Sequence, residues 1–265
     1  TAAWCLSRAA TYLQYLSMIL GFFGKGGSGK TTTSFRCAES LRSCSTHVLA
    51  VDADHNMDFA YNLGVTESVA CLGADVTTGL VKLQDKVYTL SSHDEIGSRY
   101  LHRVSDGLSL LLAGPHTNPI FQGDLCSHGL LKPIIYYLSR LQLKEGENVV
   151  VDATAGMDSI GAGLPSCLDA GVICVEPTVH SVKVGHQLLE GLSRLNIPTV
   201  VVANKLQTEQ QANDILASFP GKQIISIPFN PSFLDPRSCL SEADRLLYRS
   251  IFDAAVKERD TVSAE

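Results

Sequence analysis

The chain has 265 residues, of which 45% are hydrophobic and 18% are charged, and its net charge at pH 7 is -6. This composition excludes an intrinsically disordered chain, because it supplies enough apolar side chains for a sizeable core. The acidic balance argues against a dedicated nucleic-acid binder, which needs a basic face to neutralise phosphates.

Eight cysteines are scattered along the chain without a C-x-x-C pair, at positions 5, 37, 44, 71, 126, 167, 174 and 239. This spacing predicts free thiols in a reducing compartment. No apolar run approaches the length of a membrane span. We therefore expect a cytoplasmic protein that does not bind membranes.

Residues 1–17 precede Met18, and they lack the ordered charged, apolar and small-residue regions of a signal peptide. We interpret Met18 as a natural start and residues 1–17 as an N-terminal extension that contributes little to function. Residues 18–265 are expected to form a single domain, since one doubly wound sheet often reaches this size.

The apolar run at residues 19–23 leads into the sequence GKGGSGKTT at residues 24–32, which satisfies the phosphate-binding pattern G-x-x-x-x-G-K-[ST]. Its glycines let the backbone N–H groups point inward, and the following helix adds free donors. Lys30 is expected to reach the β- and γ-phosphates, and the Thr31 hydroxyl to bind Mg²⁺. The residues predicted to bind nucleotide here are Gly24, Gly26, Gly27, Ser28, Gly29, Lys30, Thr31 and Thr32.

Lys25, directly after the first glycine, is a second lysine that an ordinary P-loop does not need. The sequence KGGSGKT at residues 25–31 resembles the deviant Walker A ATPases of the MinD, ParA and nitrogenase iron protein class. The resemblance implies a homodimer that forms on ATP binding. It also implies that Lys25 is catalytic and reaches the nucleotide of the other subunit, where a cation offsets charge on the phosphoryl oxygens. The alternative is a solvated loop lysine.

A predicted helix at residues 31–42 leads to the strand His47–Asp52, and this unit is the core of a doubly wound, mostly parallel α/β sheet with helices on both faces. Asp52 and Asp54 follow the strand's carboxyl end, which faces the ligand crevice of such sheets. In the resembling family Asp54 orients the attacking water and Asp52 supports the Mg²⁺ shell. The alternative is that both aspartates only cap a turn.

Residues 58–106 are the least informative part of the chain. They show short helical fragments near residues 78–83 and a mixed polar stretch at residues 91–95. Substrate or partner specificity is a further hypothesis for this part of the chain. The strand Leu108–Leu112 follows, and residues 130–141 have helical spacing.

Cys126 and His128 lie two residues apart between that strand and that helix, and a thiolate and an imidazole can both bind Zn²⁺ or Ni²⁺. Two ligands make a weak site, but a two-fold dimer would supply four. In the CooC-type ATPases, which mature the nickel site of carbon monoxide dehydrogenase, a C-x-C motif lies at this point and binds metal across the dimer. This chain has C-x-H instead. The alternative is an exposed cysteine and a helix-start histidine without a metal role.

A second apolar run, at residues 148–151, closes on Asp152, which can hold Mg²⁺ through water. Gly156 follows, where a glycine permits the backbone to approach the γ-phosphate and to move when it leaves. The segment from Asp152 to Gly156 resembles switch II of the family. A further apolar strand at residues 169–175 ends in the sequence EPT at residues 176–178, to which we assign no chemistry.

The last clear central strand, at residues 198–205, contains Asn204. The fourth position of a guanine-reading N-K-x-D motif is Gln207 here, which favours adenine. In the resembling family Asn204 hydrogen-bonds the adenine edge, and the loop with Pro228 closes over the base. A packing helix is predicted at residues 241–257, and the C-terminus is too polar for a MinD-type membrane helix.

The leading hypothesis is a Mg²⁺-dependent ATPase whose ATP-bound homodimer acts as a switch, similar to a CooC-type metallochaperone. It would hold Ni²⁺ or Zn²⁺ at the dimer interface and serve a client metalloenzyme such as carbon monoxide dehydrogenase. A second hypothesis is a ParA- or MinD-like partitioning or positioning ATPase that assembles on DNA or membrane. A third is an iron–sulphur ATPase similar to the nitrogenase iron protein, for which Cys126 and Cys167 are the available pair.

Overall fold

The computed structural model describes residues 16–65, 68–90 and 95–262. Their strands are β1 (Met18–Gly24), β2 (His47–Asp52), β3 (His102–Ser105), β4 (Leu108–Leu112), β5 (Glu147–Asp152), β6 (Ala170–Val175), β7 (Thr199–Leu206) and β8 (Ile224–Pro228). These strands form one sheet in the order β3-β4-β2-β5-β1-β6-β7-β8. All neighbouring pairs are parallel except β3 and β4. The predicted mostly parallel sheet is thus confirmed.

Helices connect most of these strands. The α-helices of the described residues are α1 (Lys30–Arg42), α2 (Asp58–Asn62), α3 (Leu72–Thr77), α4 (Glu95–Tyr100), α5 (Asn118–Phe121), α6 (Leu131–Leu138), α7 (Asp158–Gly161), α8 (Val179–Arg194), α9 (Glu209–Ser218) and α10 (Glu242–Val262). Short 3-10 helices lie at Ser127–Leu130, Leu164–Cys167 and Pro231–Leu234. None of the helices in the described ranges is long and apolar enough to cross a membrane.

The sheet has a hydrophobic core on each face, because successive side chains of a strand point to opposite sides. In β1, Met18, Leu20 and Phe22 belong to one core, and Ile19 and Phe23 belong to the other. Helices α1 and α10 cover the first core, while α6 and α8 cover the second. The parallel register brings the carboxyl ends of the central strands to one edge, where the site residues lie.

Most predicted elements are confirmed, and β2 and β4 have the predicted bounds. The helical fragment predicted at residues 78–83 is wrong. Helix α3 ends at Thr77, and Gly79 follows with a φ of 77°, a left-handed conformation that turns the chain away from the helix. Residues 80–83 form a loop instead, in which Val81 is buried.

Part of the sequence interpretation falls outside the described residues. This holds for residues 1–15 of the predicted N-terminal extension and for residues 91–94 of the polar stretch. Ser17 is described, and its hydroxyl donates to the carbonyl oxygen of Lys144 at 2.6 Å.

Candidate nucleotide-binding site

The loop at residues 24–32 connects β1 to α1 and contains two glycines in the left-handed region, Gly27 (φ 83°) and Gly29 (φ 84°). A side chain would be strained at both positions. Gly29 is also the N-cap of α1, where Ser, Thr or Asp usually supplies a capping oxygen. Because glycine brings no such oxygen, the first N–H groups of the helix can serve an anion instead.

Two close approaches fix the shape of this loop. A Cβ atom on Gly24 would lie closer than 3.0 Å to the Ser28 hydroxyl, and one on Gly29 would lie equally close to the Asn204 amide nitrogen. The Ser28 side chain is fully buried, and its hydroxyl has no hydrogen-bond partner within the described ranges. A buried orphan hydroxyl in a loop of this kind marks a place where a bound ligand can supply the missing partner.

Asp152 is buried at the end of β5 and binds three side chains of α1. Its Oδ1 accepts hydrogen bonds from Lys30 Nζ at 2.9 Å and from Ser34 Oγ at 3.1 Å. Its Oδ2 accepts from the Thr31 hydroxyl at 2.8 Å. The structure thus brings together the predicted residues Lys30, Thr31 and Asp152. Ser34 was not predicted, although its spacing of three residues from Thr31 places both on one helix face.

Lys30 carries a stabilised positive charge in this setting. Burial alone would lower the pKa of Lys30, but the Asp152 carboxylate outweighs that effect, and the pKa is raised above its ordinary value. The ammonium group is therefore a permanent cation at the centre of the loop, available to a phosphate that displaces it from Asp152.

Asp52 and Asp152 end the neighbouring strands β2 and β5 at the same register position. The Asp52 carboxylate is fully buried and accepts hydrogen bonds from the backbone N–H groups of Asp54 (3.2 Å) and Ala60 (2.9 Å). Burial, with the nearby charge of Asp152, raises the pKa of Asp52 to about 8. In this structure Asp52 therefore holds the loop after β2, and its expected support of Mg²⁺ stays a prediction.

Asp54 is partly exposed on that loop, with 15% of its side chain accessible. Its Oδ1 accepts from the backbone N–H of Asn56 at 3.1 Å and lies 3.7 Å from His55 Nδ1. The His55 ring stacks on His116, with centroids 4.3 Å apart, so the loop after β2 is joined to the segment after β4. Asp54 has a free face for a substrate water, and its expected catalytic role stays a prediction.

Gly156 links the segment after β5 to the P-loop. Its φ is 71°, and its N–H donates to the carbonyl oxygen of Gly24 at 2.9 Å. Nearby, the Thr154 N–H donates to the Ser159 hydroxyl at 2.9 Å. A change in the P-loop would therefore act directly on the predicted switch II.

A groove of about 380 Å³ lies beside the P-loop. It is lined by Gly29, Thr32, Asn204, Lys205, Ile227, Pro228, Phe229, Asn230, Phe233, Leu234 and Tyr248. Its apolar walls suit a flat aromatic ring, and the predicted residues Asn204 and Pro228 both face it. The Asn204 amide nitrogen, however, donates to the Ser28 carbonyl oxygen at 2.9 Å and thereby holds the P-loop. Only the rest of the Asn204 amide group is therefore available to bind a nucleotide base.

Lys25 is 38% accessible and lies on the outer side of the loop, where its ammonium group donates to the Gly26 carbonyl oxygen at 3.1 Å. It also lies 3.9 Å from Glu176, whose other carboxylate oxygen is 3.6 Å from Lys205 Nζ. Lys205 has a φ of 58° and donates to the carbonyl oxygen of Gly27. No role is predicted for Glu176 and Lys205 from the sequence; the available signal is that Glu176 directly follows β6 and that Lys205 lies near the carboxyl end of β7.

Cys126 and His128 are within hydrogen-bond distance, with Sγ and Nδ1 2.8 Å apart. Cys126 is exposed, and hydrogen bonds from His128, first from its backbone N–H and then from its ring, lower the pKa of the thiol. In the described part of the chain, no group of three or more His, Cys, Asp and Glu residues could hold a metal ion. The structure thus brings Cys126 and His128 together as a pair, and their expected metal binding stays a prediction.

A small pocket joins His128 to the segments that follow β2 and β5. His128 lines it together with Ala53 and His55, which follow β2, and with Thr154 and Asp158, which follow β5. The Cys126–His128 loop therefore lies against the segments that are predicted to respond to the γ-phosphate.

Cys167 lies in a different environment from Cys126. It is buried, its Sγ donates to the Leu164 carbonyl oxygen at 3.1 Å, and burial raises its pKa to about 12. A buried protonated thiol is a poor ligand for a cluster at an exposed two-fold face, which argues against the pair Cys126 and Cys167.

Sequence comparisons identify relatives of this chain. Residues 17–108 match the model of the AAA domain family. The chain is 30% identical over 231 residues to the carbon monoxide dehydrogenase accessory protein CooC of Rhodospirillum rubrum, covering 80% of this chain and 84% of that protein. It is 25% identical over 229 residues to an ATP-binding protein of Methanocaldococcus jannaschii, covering 82% of this chain and 90% of that one.

Two solved structures share the fold. The plasmid partition protein of Borrelia burgdorferi bound to AMPPNP has a TM-score of 0.66 at 16% identity, covering 91% of this chain and 99% of that one. The septum site-determining protein MinD of Pyrococcus horikoshii, complexed with Mg-ADP, has a TM-score of 0.62 at 17% identity, covering 93% of this chain and 96% of that one.

Proposed function

The chain belongs to the family of the carbon monoxide dehydrogenase accessory protein CooC, a family of P-loop ATPases, and from this premise we propose that ATP closes a homodimer of it around a metal ion held by Cys126 and His128. Its enzymatic activity is ATP hydrolysis, and ATP and Mg²⁺ are its nucleotide and metal cofactors. The metal between the subunits is cargo for a client enzyme. We further propose that residues 18–265 form the ATPase domain and that residues 1–17 contribute little to it.

The nucleotide is held by the P-loop. Lys30 leaves Asp152 to bind the β- and γ-phosphates, and the N–H groups at the start of α1 bind the same oxygens. The Thr31 hydroxyl and the Asp152 carboxylate lie 2.8 Å apart and are the hard oxygen ligands that Mg²⁺ prefers. Mg²⁺ supplies charge neutralisation at the phosphates. The adenine lies in the groove between Asn204 and Pro228.

Hydrolysis uses residues of both subunits. Asp54 orients the attacking water, which needs a partly exposed carboxylate beside the phosphate site. Lys25 lies on the outer side of its own loop, a position from which it reaches the phosphates of the other subunit. Such a cation stabilises the charge that develops on the phosphoryl oxygens. When the phosphate leaves, Gly156 and the segments after β2 and β5 relax.

One observation carries the metal role: His128 shares a pocket with residues of both predicted switch segments. If His55 or Asp158 moves when the bound nucleotide changes, that movement therefore acts directly on His128 and on its partner Cys126. Four ligands, two from each subunit, satisfy the tetrahedral preference of Zn²⁺ and can also bind Ni²⁺. From the resemblance to the CooC-type ATPases we propose nickel as the cargo, and the name of the Rhodospirillum rubrum relative supports carbon monoxide dehydrogenase or a similar metalloenzyme as the client.

The test is metal analysis of the dimer locked with a non-hydrolysable ATP analogue. The wild type is expected to hold one Ni²⁺ or Zn²⁺ per dimer, and the double variant Cys126→Ser/His128→Ala none. Cys239→Ser is the matched control, because Cys239 is also exposed. Equal metal content in the wild type and the double variant would remove the metal role and leave the ATPase.

A positioning function on DNA or membrane remains the second candidate, since the fold is shared with partition and MinD proteins. The net charge of -6 does not favour it. Gel-shift and liposome sedimentation with ATP distinguish the two, because clear binding to either surface would displace the metallochaperone function.

A further inference from the structure

Arg36 is a fully buried cation on α1, one helical turn beyond Thr32. Its guanidinium group donates to the Ser238 carbonyl oxygen (2.8 Å), to the Ser238 hydroxyl (2.7 Å) and to the Asp235 carbonyl oxygen (3.4 Å). The remaining hydrogen bond goes to Glu39 on the same helix, at 2.7 Å. Arg36 thus joins the P-loop helix to one distant segment, residues 229–238, which we call the closing segment.

The contacts of Arg36 suit a clamp better than simple packing. Its guanidinium carbon lies 4.6 Å from the centre of the Phe35 ring and 4.8 Å from that of Phe233. Burying a cation costs more than burying an apolar side chain of similar size, so packing alone does not call for arginine here. The planar group binds several acceptors of the closing segment in one fixed geometry, which lysine cannot reproduce.

The closing segment forms one wall of the groove beside the P-loop. Phe229, Phe233 and Leu234 line that wall, while Gly29 and Thr32 line the side of the P-loop. Phe233 also meets Tyr248 edge to face, with centroids 5.9 Å apart. Arg36 does not line the groove itself, but it contacts the ring of Phe233 and therefore ties this wall to the helix that follows the P-loop.

We propose that Arg36 is a positioning residue that sets the affinity and base preference for ATP by fixing the closing segment, without contacting the nucleotide. This inference rests on the proposed placement of adenine in the groove, and it does not depend on the metal role. Losing the clamp lets the wall move away from the base. The phosphate contacts, which belong to the P-loop, are unaffected.

The test compares Arg36→Met and Arg36→Lys with the matched control Arg42→Met, since Arg42 is on the same helix but lies on the surface. Binding of ATP, GTP and inorganic tripolyphosphate is measured by calorimetry, and hydrolysis by steady-state kinetics. Both Arg36 variants are expected to bind ATP roughly tenfold more weakly, as the loss of charged hydrogen bonds would give. Tripolyphosphate affinity is expected to stay unchanged, KM for ATP to rise, kcat to stay near the wild-type value, and the preference for ATP over GTP to fall.

Equal losses for ATP and tripolyphosphate would overturn the inference, because Arg36 would then support the P-loop as a whole. Unchanged ATP affinity in both variants would overturn it as well. If Arg36→Met does not fold, Ser238→Ala replaces it, since this variant removes only one acceptor and should weaken ATP binding roughly threefold with the same selectivity. The proposed metal function fails on a different readout, the metal content of the locked dimer, so the two outcomes are separable.

Discussion

Asp52 and Asp152 end neighbouring strands at the same register position, and both carboxylates are fully buried. Their environments differ. Asp152 has an ion-pair partner in Lys30 at 2.9 Å, whereas Asp52 binds the backbone N–H groups of Asp54 and Ala60. One cation therefore lies beside two adjacent acids, and burial raises the pKa of both carboxyl groups above the usual range of an aspartate.

The first prediction is a pH dependence of the stability of the nucleotide-free protein. Burial and the Asp152 charge raise the pKa of Asp52 to about 8, above its value in the unfolded chain. The folded state thus binds the proton more tightly, so this group's contribution is fully present at low pH and is lost as pH rises toward 8. The loss is at most about 1.4 kcal/mol per pH unit.

Thermal or urea unfolding between pH 6 and pH 9, in EDTA, measures this effect. Asp52→Asn removes the titrating group, so its stability is expected to fall less steeply than that of the wild type. Parallel curves for the two proteins would show that Asp52 is ionised throughout this range.

The second prediction concerns the ion pair itself. Lys30→Met leaves the Asp152 carboxylate buried without a cation, which is expected to destabilise the protein by about 3 kcal/mol or more. Adding Asp152→Asn removes the uncompensated charge. The double variant should therefore lose less stability than the sum of the losses in the two single variants. Urea unfolding of the four proteins measures the coupling, and strict additivity would contradict it. ATP hydrolysis is expected to be lost whenever Lys30 is replaced.

The sequence predicts the parts of the site that belong to a local motif or lie at the end of a central strand. Glycine spacing predicts the loop around Lys30, and because parallel strands end at one edge of the sheet, the sequence also predicts that Asp52, Asp152 and Asn204 lie at that edge. The short helical fragment predicted near residues 78–83 is wrong, because the left-handed conformation at Gly79 turns the chain after the helix that ends at Thr77.

The contacts that a sequence pattern cannot predict are those between distant segments. Glu176 meets Lys25 and Lys205 only because the segment after β6, the P-loop and the end of β7 converge at the sheet edge. No sequence motif singles out Arg36, yet it is buried against a segment about 200 residues later, with separations of 199 and 202 positions. Packing of α1 against the closing segment decides its environment, and no periodicity encodes that contact.

The third prediction distinguishes backbone strain from a steric clash at two glycines of the P-loop. Gly27 and Gly29 both have φ near 84°, so alanine at either position costs about 1 kcal/mol or more in backbone strain. A Cβ atom at Gly27 meets nothing within 4 Å, but one at Gly29 runs into the amide of Asn204. Gly29→Ala is therefore expected to break the Asn204 to Ser28 hydrogen bond, to destabilise the protein more than Gly27→Ala does, and to weaken ATP binding more strongly. Calorimetric titration and urea unfolding measure both effects, and equal losses would mean that the loop shifts to accept the side chain.

The fourth prediction tests whether Lys25 acts on the other subunit. Lys25→Ala and Asp54→Asn are each expected to bind ATP but to lose at least about a hundredfold in hydrolysis, as the loss of a charge-stabilising group or a water-orienting group would give. In a mixed dimer, the Lys25→Ala subunit keeps its own Asp54 and receives Lys25 from its partner, which makes one complete site. Random pairing at equal amounts then restores about a quarter of the wild-type rate, since half the dimers are mixed and each has one of two sites complete.

The control is Lys25→Ala mixed with the double variant Lys25→Ala/Asp54→Asn, which forms no complete site and should stay inactive. If Lys25 acts within its own subunit, the first mixture stays as inactive as the control, because neither subunit then has both residues.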